Sequence, residues 1–237
     1  GCGWIEPLGS SSQWLTFADV LRIPAFPEPS GNTVNPSRCF AIIPAAGQSR
    51  RMGSRNKLLL PWGDSTIIEQ VLKAWILSRV ERVVLVTRAD DQPLHDRLPI
   101  VSKLDRVIPD KNPDDMKQSV LFGLEHLGRA CSPSDHDRWL IAPADMPDLS
   151  AELINRVIDA NASPSAIVVP TFSGRRGHPI SLPWAAAREV GQLGSDEGIN
   201  RLLKRWTVER VAADPDQYPE DIDTEDDYRR ARKIKDR

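Results

Sequence analysis

The chain has 237 residues, 40% of them hydrophobic and 27% charged, with a formal net charge of −2. That balance is ordinary for a globular domain and exerts no overall attraction on nucleic acid, and no apolar run approaches the roughly 20 residues of a membrane span. Cys2, Cys39 and Cys131 are scattered and form no Cys-x-x-Cys pair, so neither a disulfide framework nor a zinc site is indicated, and a reducing cytoplasm is the expected compartment.

Residues 1–37 stand apart. Pro7, Pro24, Pro27, Pro29 and Pro36 surround Ser10-Ser11-Ser12, the first basic residue is Arg22, and no apolar stretch follows it. The segment therefore reads as an N-terminal arm or extension and not as a signal peptide. Trp4, Trp14, Leu15 and Phe17 would let such an arm pack on a domain expected over residues 38–237.

The first predicted strand, residues 40–43, runs into Pro44-Ala45-Ala46-Gly47-Gln48-Ser49-Arg50-Arg51-Met52-Gly53, with Lys57 beyond. Small residues after a buried strand let backbone N–H groups approach an anion, and Arg50, Arg51 and Lys57 add the positive charge that a polyphosphate requires. The spacing matches neither the P-loop nor the Gly-x-Gly-x-x-Gly dinucleotide loop. Next come a helix over 66–77 and strands at 82–86 and 106–108. In Asn112-Pro113-Asp114-Asp115-Met116-Lys117-Gln118-Ser119 a loop enters a helix predicted over 117–127. Asn112 and Ser119 can reach a nucleotide base there, and Asp114 or Asp115 can equally serve as a plain helix cap.

A strand at 139–142 precedes Pro143-Ala144-Asp145-Met146-Pro147. An acid fixed by prolines at a strand end either turns the chain or holds the magnesium of a bound triphosphate, because Mg²⁺ binds through one or two carboxylates plus phosphates. A helix over 151–160, capped by Ser150, and a strand at 166–169 follow. Residues 171–180 read as a hairpin whose tip bears Arg175, Arg176 and His178. The arginines suit an anionic acceptor or plain solvation, and His178 a structural or substrate-contacting role. A helix over 199–206 and a strand at 208–212 lead to Asp221-Ile222-Asp223-Thr224, where the two acids project to one side of an extended segment. One of them, with Asp223 favoured, can reach the metal. Thr224 and Asp227 approximate a capping box for a last helix, whose basic residues read as a solvated face. Strands alternating with helices predict an α/β fold with a mostly parallel sheet covered on both faces and ligands beyond the strands' carboxyl ends.

In this order the segments resemble the MobA-like nucleotidyltransferase family, most closely its molybdenum cofactor cytidylyltransferases, over Ala41 to about Ala231. The likeness rests on the loop at 44–53 with Lys57-Leu58-Leu59-Leu60-Pro61-Trp62, on 142–147, on the Arg-Arg-Gly-His-Pro core of 170–179, on 194–203 and on 221–228. The resemblance implies a Rossmann-like sheet of the nucleotide-diphospho-sugar transferase type, Mg²⁺ as metal, and transfer of CMP from CTP to the terminal phosphate of molybdopterin with release of pyrophosphate. It places Ala45, Ala46, Gly47, Arg51 and Lys57 at the triphosphate, Asp145 and Asp223 at the metal, and Ser119 near the base. CTP is preferred over GTP because guanylyl-transferring relatives carry Gly-Gly where this chain has Ala46-Gly47. Departures occur in the spacing from Gly53 to Lys57 and at 116–119, and Ile43-Pro44 is similar to cytidylyltransferases of isoprenoid synthesis. A sugar phosphate or other small organic phosphate is the alternative acceptor. A non-catalytic partner that delivers cofactor to a molybdoenzyme is the reading from another class.

Overall fold

The computed structural model describes residues 37–52, 55–160 and 162–235, so the expectation for the N-terminal arm lies outside the described residues, as does Gly53. Strand β1 (Cys39–Pro44) is inaccessible from Phe40 to Ile43, as its unbroken apolar run demands of a strand covered on both faces. The chain then forms a small hairpin, β2 (Pro61–Trp62) with β3 (Ser65–Thr66), and enters α1 (Ile67–Leu77), which Thr66 and Glu69 close with a reciprocal capping box. Strand β4 (Arg82–Val86), the single turn α2 (Gln92–His95), β5 (Leu104–Val107) and α3 (Met116–Cys131) follow. After them come β6 (Arg138–Ile141), α4 (Ala151–Ile158), β7 (Ile167–Phe172), β8 (Arg175–Arg176), β9 (Ile180–Pro183), α5 (Ala187–Val190), β10 (Val208–Ala212) and α6 (Glu225–Lys235).

The main sheet has the order β10-β7-β9-β6-β1-β4-β5, with β8 paired to β7. Strands β4 and β6 both run parallel to β1, β5 runs parallel to β4, and β10 runs parallel to β7. Within this sheet, among the described residues, the antiparallel pairings are those of β9 with β6 and β7 and of β8 with β7. From β1 the chain steps outward to β4 and β5, then returns to β6 on the other side, so the topology reverses between β1 and β6. In register, Pro44 stands beside Val86, and Ile42 beside Ile141. The loops leaving β1, β4 and β6 consequently open at one edge, where ligands of such folds bind.

One face of the sheet buries Phe40, Ile42, Val84 and Val86 under Val120, Leu124 and Leu127 of α3. Helix α3 lies close enough that a Cβ on Gly123 would stand 2.7 Å from the Ile42 side chain. Ahead of the strands, Arg38 and Asp137 join the starts of β1 and β6, with Arg38 Nη2 donating to Asp137 Oδ2 at 2.7 Å and the Arg38 N–H to Asp137 Oδ1 at 2.8 Å. Among the described residues no helix is long and apolar enough to cross a membrane.

Three segments differ from expectation. The helix predicted over 199–206 is a run of 3₁₀ turns, Ile199–Lys204, because Gly198 at its start has no side chain to satisfy the first amides and only Leu202 is buried. The hairpin expected over 171–180 is present, Thr171 and Phe172 pairing with Arg176 and Arg175, but beyond it the chain continues into an unexpected interior strand, β9. Its central Ser181 is fully buried and accepts a hydrogen bond from Arg138 Nε at 2.8 Å, and Pro183 closes the strand while its carbonyl accepts from Trp139 Nε1. The strand placed at 106–108 begins two residues earlier, at Leu104, whose side chain is buried.

Candidate active site

The loop after β1 continues the ladder for one residue, the Ala45 N–H donating to the Val86 carbonyl at 2.8 Å, and then leaves the sheet. Ser49 takes a positive φ of 49° and its carbonyl accepts from Met52 N–H, turning the chain into the 3₁₀ turn Arg50–Met52. Ala45 and Ala46 are buried, and Gly47 is exposed with nothing within 4 Å of where a Cβ would stand. Among the described residues the fold thus shows no packing need for glycine at 47, which lines the cleft.

Lys57 opens a second 3₁₀ turn, Lys57–Leu59, capped by Asn56, whose Oδ1 accepts from Leu58 N–H at 3.1 Å. The Lys57 N–H donates to Ser49 Oγ at 3.3 Å, which ties this turn to the loop. Its ammonium reaches across the cleft floor to Asp145 Oδ2 at 2.5 Å and Asp223 Oδ1 at 2.9 Å. Lys57 and Asp145 are deep, with side chains 14% and 13% exposed, whereas Asp223 is 40% exposed. Arg51 joins from outside, donating from Nη1 to Asp223 Oδ2 at 3.1 Å.

Asp145 and Asp223 meet through the backbone. Ile222 N–H donates to the Asp145 carbonyl at 2.9 Å, and the Ile222 side chain is buried, so Asp221 and Asp223 flank it on the opposite side. The capping role open to Asp223 is filled by its neighbours, since Thr224 and Asp227 form the reciprocal pair at the start of α6. Asp223 is left to face Lys57.

The charges around Lys57 do not cancel. Burial pulls the Lys57 ammonium down, but Asp145 and Asp223 together outweigh it and hold its pKa above the ordinary value. Burial also raises the Asp145 carboxyl; Lys57 opposes this, and Asp223 and Asp221 add to it. Both directions mark a site short of positive charge. Asp145 Oδ1 is buried and has no hydrogen-bond partner among the described residues. An orphaned carboxylate oxygen beside a second carboxylate fits a hard divalent cation whose remaining ligands are phosphate oxygens and water. Among the described residues no three acidic, histidine or cysteine side chains are arranged to hold a metal, which such a cation does not require.

These groups line a cleft of about 510 Å³. Of the residues singled out in the sequence, Ala45, Ala46, Gly47, Lys57, Asn112, Ser119, Asp145 and Asp223 line it; Arg51, Arg175, Arg176 and His178 do not. Asn112 has both ends of its amide engaged, Oδ1 accepting from Ala89 N–H and Nδ2 donating to Asp90 Oδ1, so it braces the wall. Ser119 Oγ donates to the Asp115 carbonyl inside α3, and Asp115 is the cap of that helix. Arg175 lies over the Tyr218 ring at 3.9 Å and Arg176 is exposed on β8. His178 is half-buried, its Nδ1–H donating to the Ile141 carbonyl at 3.3 Å. Burial lowers its pKa, against the opposing pull of that carbonyl and of Asp145 and Asp221. Gly177 admits the Phe172 ring, which would stand 2.6 Å from an added Cβ. Sequence reasoning missed Ser49 and Asn56. A cap-type residue directly before Lys57 was the available signal for the second.

A family model described as MobA-like NTP transferase domain matches residues 41–211. A curated relative from Bacillus mycoides (strain KBAB4), named "Probable molybdenum cofactor guanylyltransferase", is 26% identical over 204 residues, 83% of this chain and 97% of that protein. Among solved structures, a nucleotidyl transferase from Methanothermobacter thermautotroptrophicus superposes with a TM-score of 0.69 at 24% identity, covering 83% of this chain and 97% of the other. A manganese complex of Rv0371C from Mycobacterium tuberculosis H37Rv gives 0.65 at 23% identity, covering 82% and 97%.

Proposed function

Because the chain belongs to the family of MobA-like NTP transferase domains, we propose that it moves a CMP group from CTP to a phosphorylated acceptor, molybdopterin in the first instance, and releases pyrophosphate. The observation that carries the reading is the convergence of Lys57, Asp145 and Asp223, from three separate loops, in a cleft that the small-residue loop also lines.

The acceptor needs little help to react, since a phosphate monoester with a second pKa near about 6 is already largely ionised at neutral pH. Its oxygen attacks the α-phosphorus, a new P–O bond forms there, and the bond to the bridging oxygen of the β-phosphate breaks, leaving pyrophosphate. Loop amides around Ala46 and Gly47 hold the departing phosphates, and the Lys57 ammonium turns toward the oxygens that gain charge. Asp145 and Asp223 would hold Mg²⁺, whose positive charge neutralises the triphosphate; the manganese in the mycobacterial structure supports a divalent ion at this kind of fold. Positioning and charge carry the acceleration, with no general base.

CTP is favoured by Ala46. Its methyl is buried in the cleft wall and narrows the space at the start of the loop, where a two-ring base needs more room. The Bacillus relative's name favours GTP as the second reading. Pyrophosphate release with each nucleotide, Mg²⁺ and a panel of phosphorylated acceptors tests the assignment. The reading expects kcat/KM for CTP to exceed that for GTP, with Ala46→Gly relaxing the preference; equal or better use of GTP by the unmodified protein refutes it. A silent panel containing molybdopterin, sugar phosphates and phosphorylated alcohols refutes the wider reading.

A further inference from the structure

In the hydrogen-bond pattern of the described residues the Lys57 ammonium is held by the two carboxylates named above, and its backbone sets from where it reaches them. The backbone is clamped twice. One clamp is Ser49 Oγ on the Lys57 N–H. The other runs through Asn56 to Asp91, a residue 35 positions away in the loop after β4. Asn56 Nδ2 donates to Asp91 Oδ2 at 2.8 Å and lies 3.1 Å from Oδ1, while Asn56 Oδ1 caps the turn that begins with Lys57.

The plain account of Asp91 is a helix cap, and it is incomplete. Asp91 does cap α2, accepting from Leu94 N–H, but at 3.4 Å, and α2 is four residues long. Its shorter contacts go to Asn56. Asp91 is 5% exposed, and its nearest cation, Arg88 Nη2, is 3.6 Å from Oδ2. Burying a carboxylate is costly, and a serine or threonine would cap one turn without that cost. What a serine lacks is the reach and the two oxygens needed to take hold of the Asn56 amide.

We infer that Asp91 and Asn56 are positioning residues for Lys57, setting its ammonium at the place where charge develops on the triphosphate. The inference rests on the proposed nucleotidyl transfer. It explains why an asparagine, and no other capping residue, stands directly before the lysine: its oxygen ends the turn and its nitrogen anchors the turn to the neighbouring loop.

The test separates the bridge from the caps. Asn56→Ser and Asp91→Ser keep both caps and break the bridge. Asn56→Asp sets two carboxylates against each other, and the exchange Asn56→Asp with Asp91→Asn restores a carboxylate-to-amide contact with the donor reversed. Because a displacement of about 1 Å in a reacting constellation can cost roughly 10²-fold, Asn56→Asp should lower kcat by about that factor, with the acceptor KM unchanged, and the exchange should recover most of it. In a Lys57→Ala background, Asn56→Asp should add no further loss in kcat or in nucleotide Kd, since residues acting through one group are not additive. Equal loss in both backgrounds, or a dead exchange variant with an unchanged melting temperature, overturns the inference. Undiminished activity of Lys57→Ala alone would instead sink the role given to Lys57, so the two failures are told apart.

Discussion

Gly47 and Asp145 are the residues at which fold and chemistry separate most cleanly. No described residue comes within 4 Å of where a Cβ on Gly47 would stand, so Gly47→Ala should leave stability within about 1 kcal/mol by urea melts, because a residue that fits its native backbone does no harm. The added methyl would stand between the loop amides and the triphosphate. Nucleotide Kd, measured by calorimetry, should rise by about tenfold, as when one or two hydrogen bonds to a charged group are lost. Asp145→Asn keeps the volume and removes the charge that faces Lys57 and the proposed metal position. Turnover should fall by on the order of 10² or more, comparable to losing one major electrostatic stabiliser. Circular dichroism should report an unchanged fold, and near-normal pyrophosphate release by that variant would refute the assignment.

At the scale of elements, the cleft depends on how closely α3 lies on β1 and β4, since α3 carries Ser119 and Met116 in the cleft wall. Gly123 makes that approach possible, and its immediate neighbour is the Ile42 side chain, itself fully buried in the central strand. Gly123→Ala should therefore cost about 1–3 kcal/mol, the usual penalty of overpacking a core, even though alanine is the better helix former by about 1 kcal/mol. Thermal and urea denaturation measure this, and a variant more stable than the parent would show that α3 can shift without loss. The interior strand β9 is a second device of this kind. Antiparallel between β6 and β7, it brings Gly177-His178-Pro179 up against the end of β6, so that His178 sits on the Ile141 carbonyl one turn of chain from Asp145.

For the whole molecule, the described residues that line the cleft all fall between Pro44 and Asp223, and every candidate phosphate and metal residue lies in that span. Deleting residues 1–36 should accordingly leave nucleotide Kd within about twofold, as expected when a removed terminus contributes no ligand contact. An insoluble product, or one blind to nucleotide, would show that the arm belongs to the domain. Read alone, the sequence determined the features that are local in the chain: the apolar run of β1, the small-residue loop behind it, the acid at the end of β6, the caps at Ser150 and Thr224, and the alternation that makes the sheet mostly parallel. Each follows from residue size, periodicity or hydrogen bonding within a few positions. It left open which of Asp114 and Asp115 caps α3, whether Asp223 caps or faces the cleft, and that residues 180–183 enter the sheet. Only the tertiary structure decided these. Lys57 meets Asp145 and Asp223 across 88 and 166 positions, and Asn56 meets Asp91 across 35. Such pairings are set by strand order and register, which arise from burying both faces of one sheet at once, and no short window of sequence carries that information.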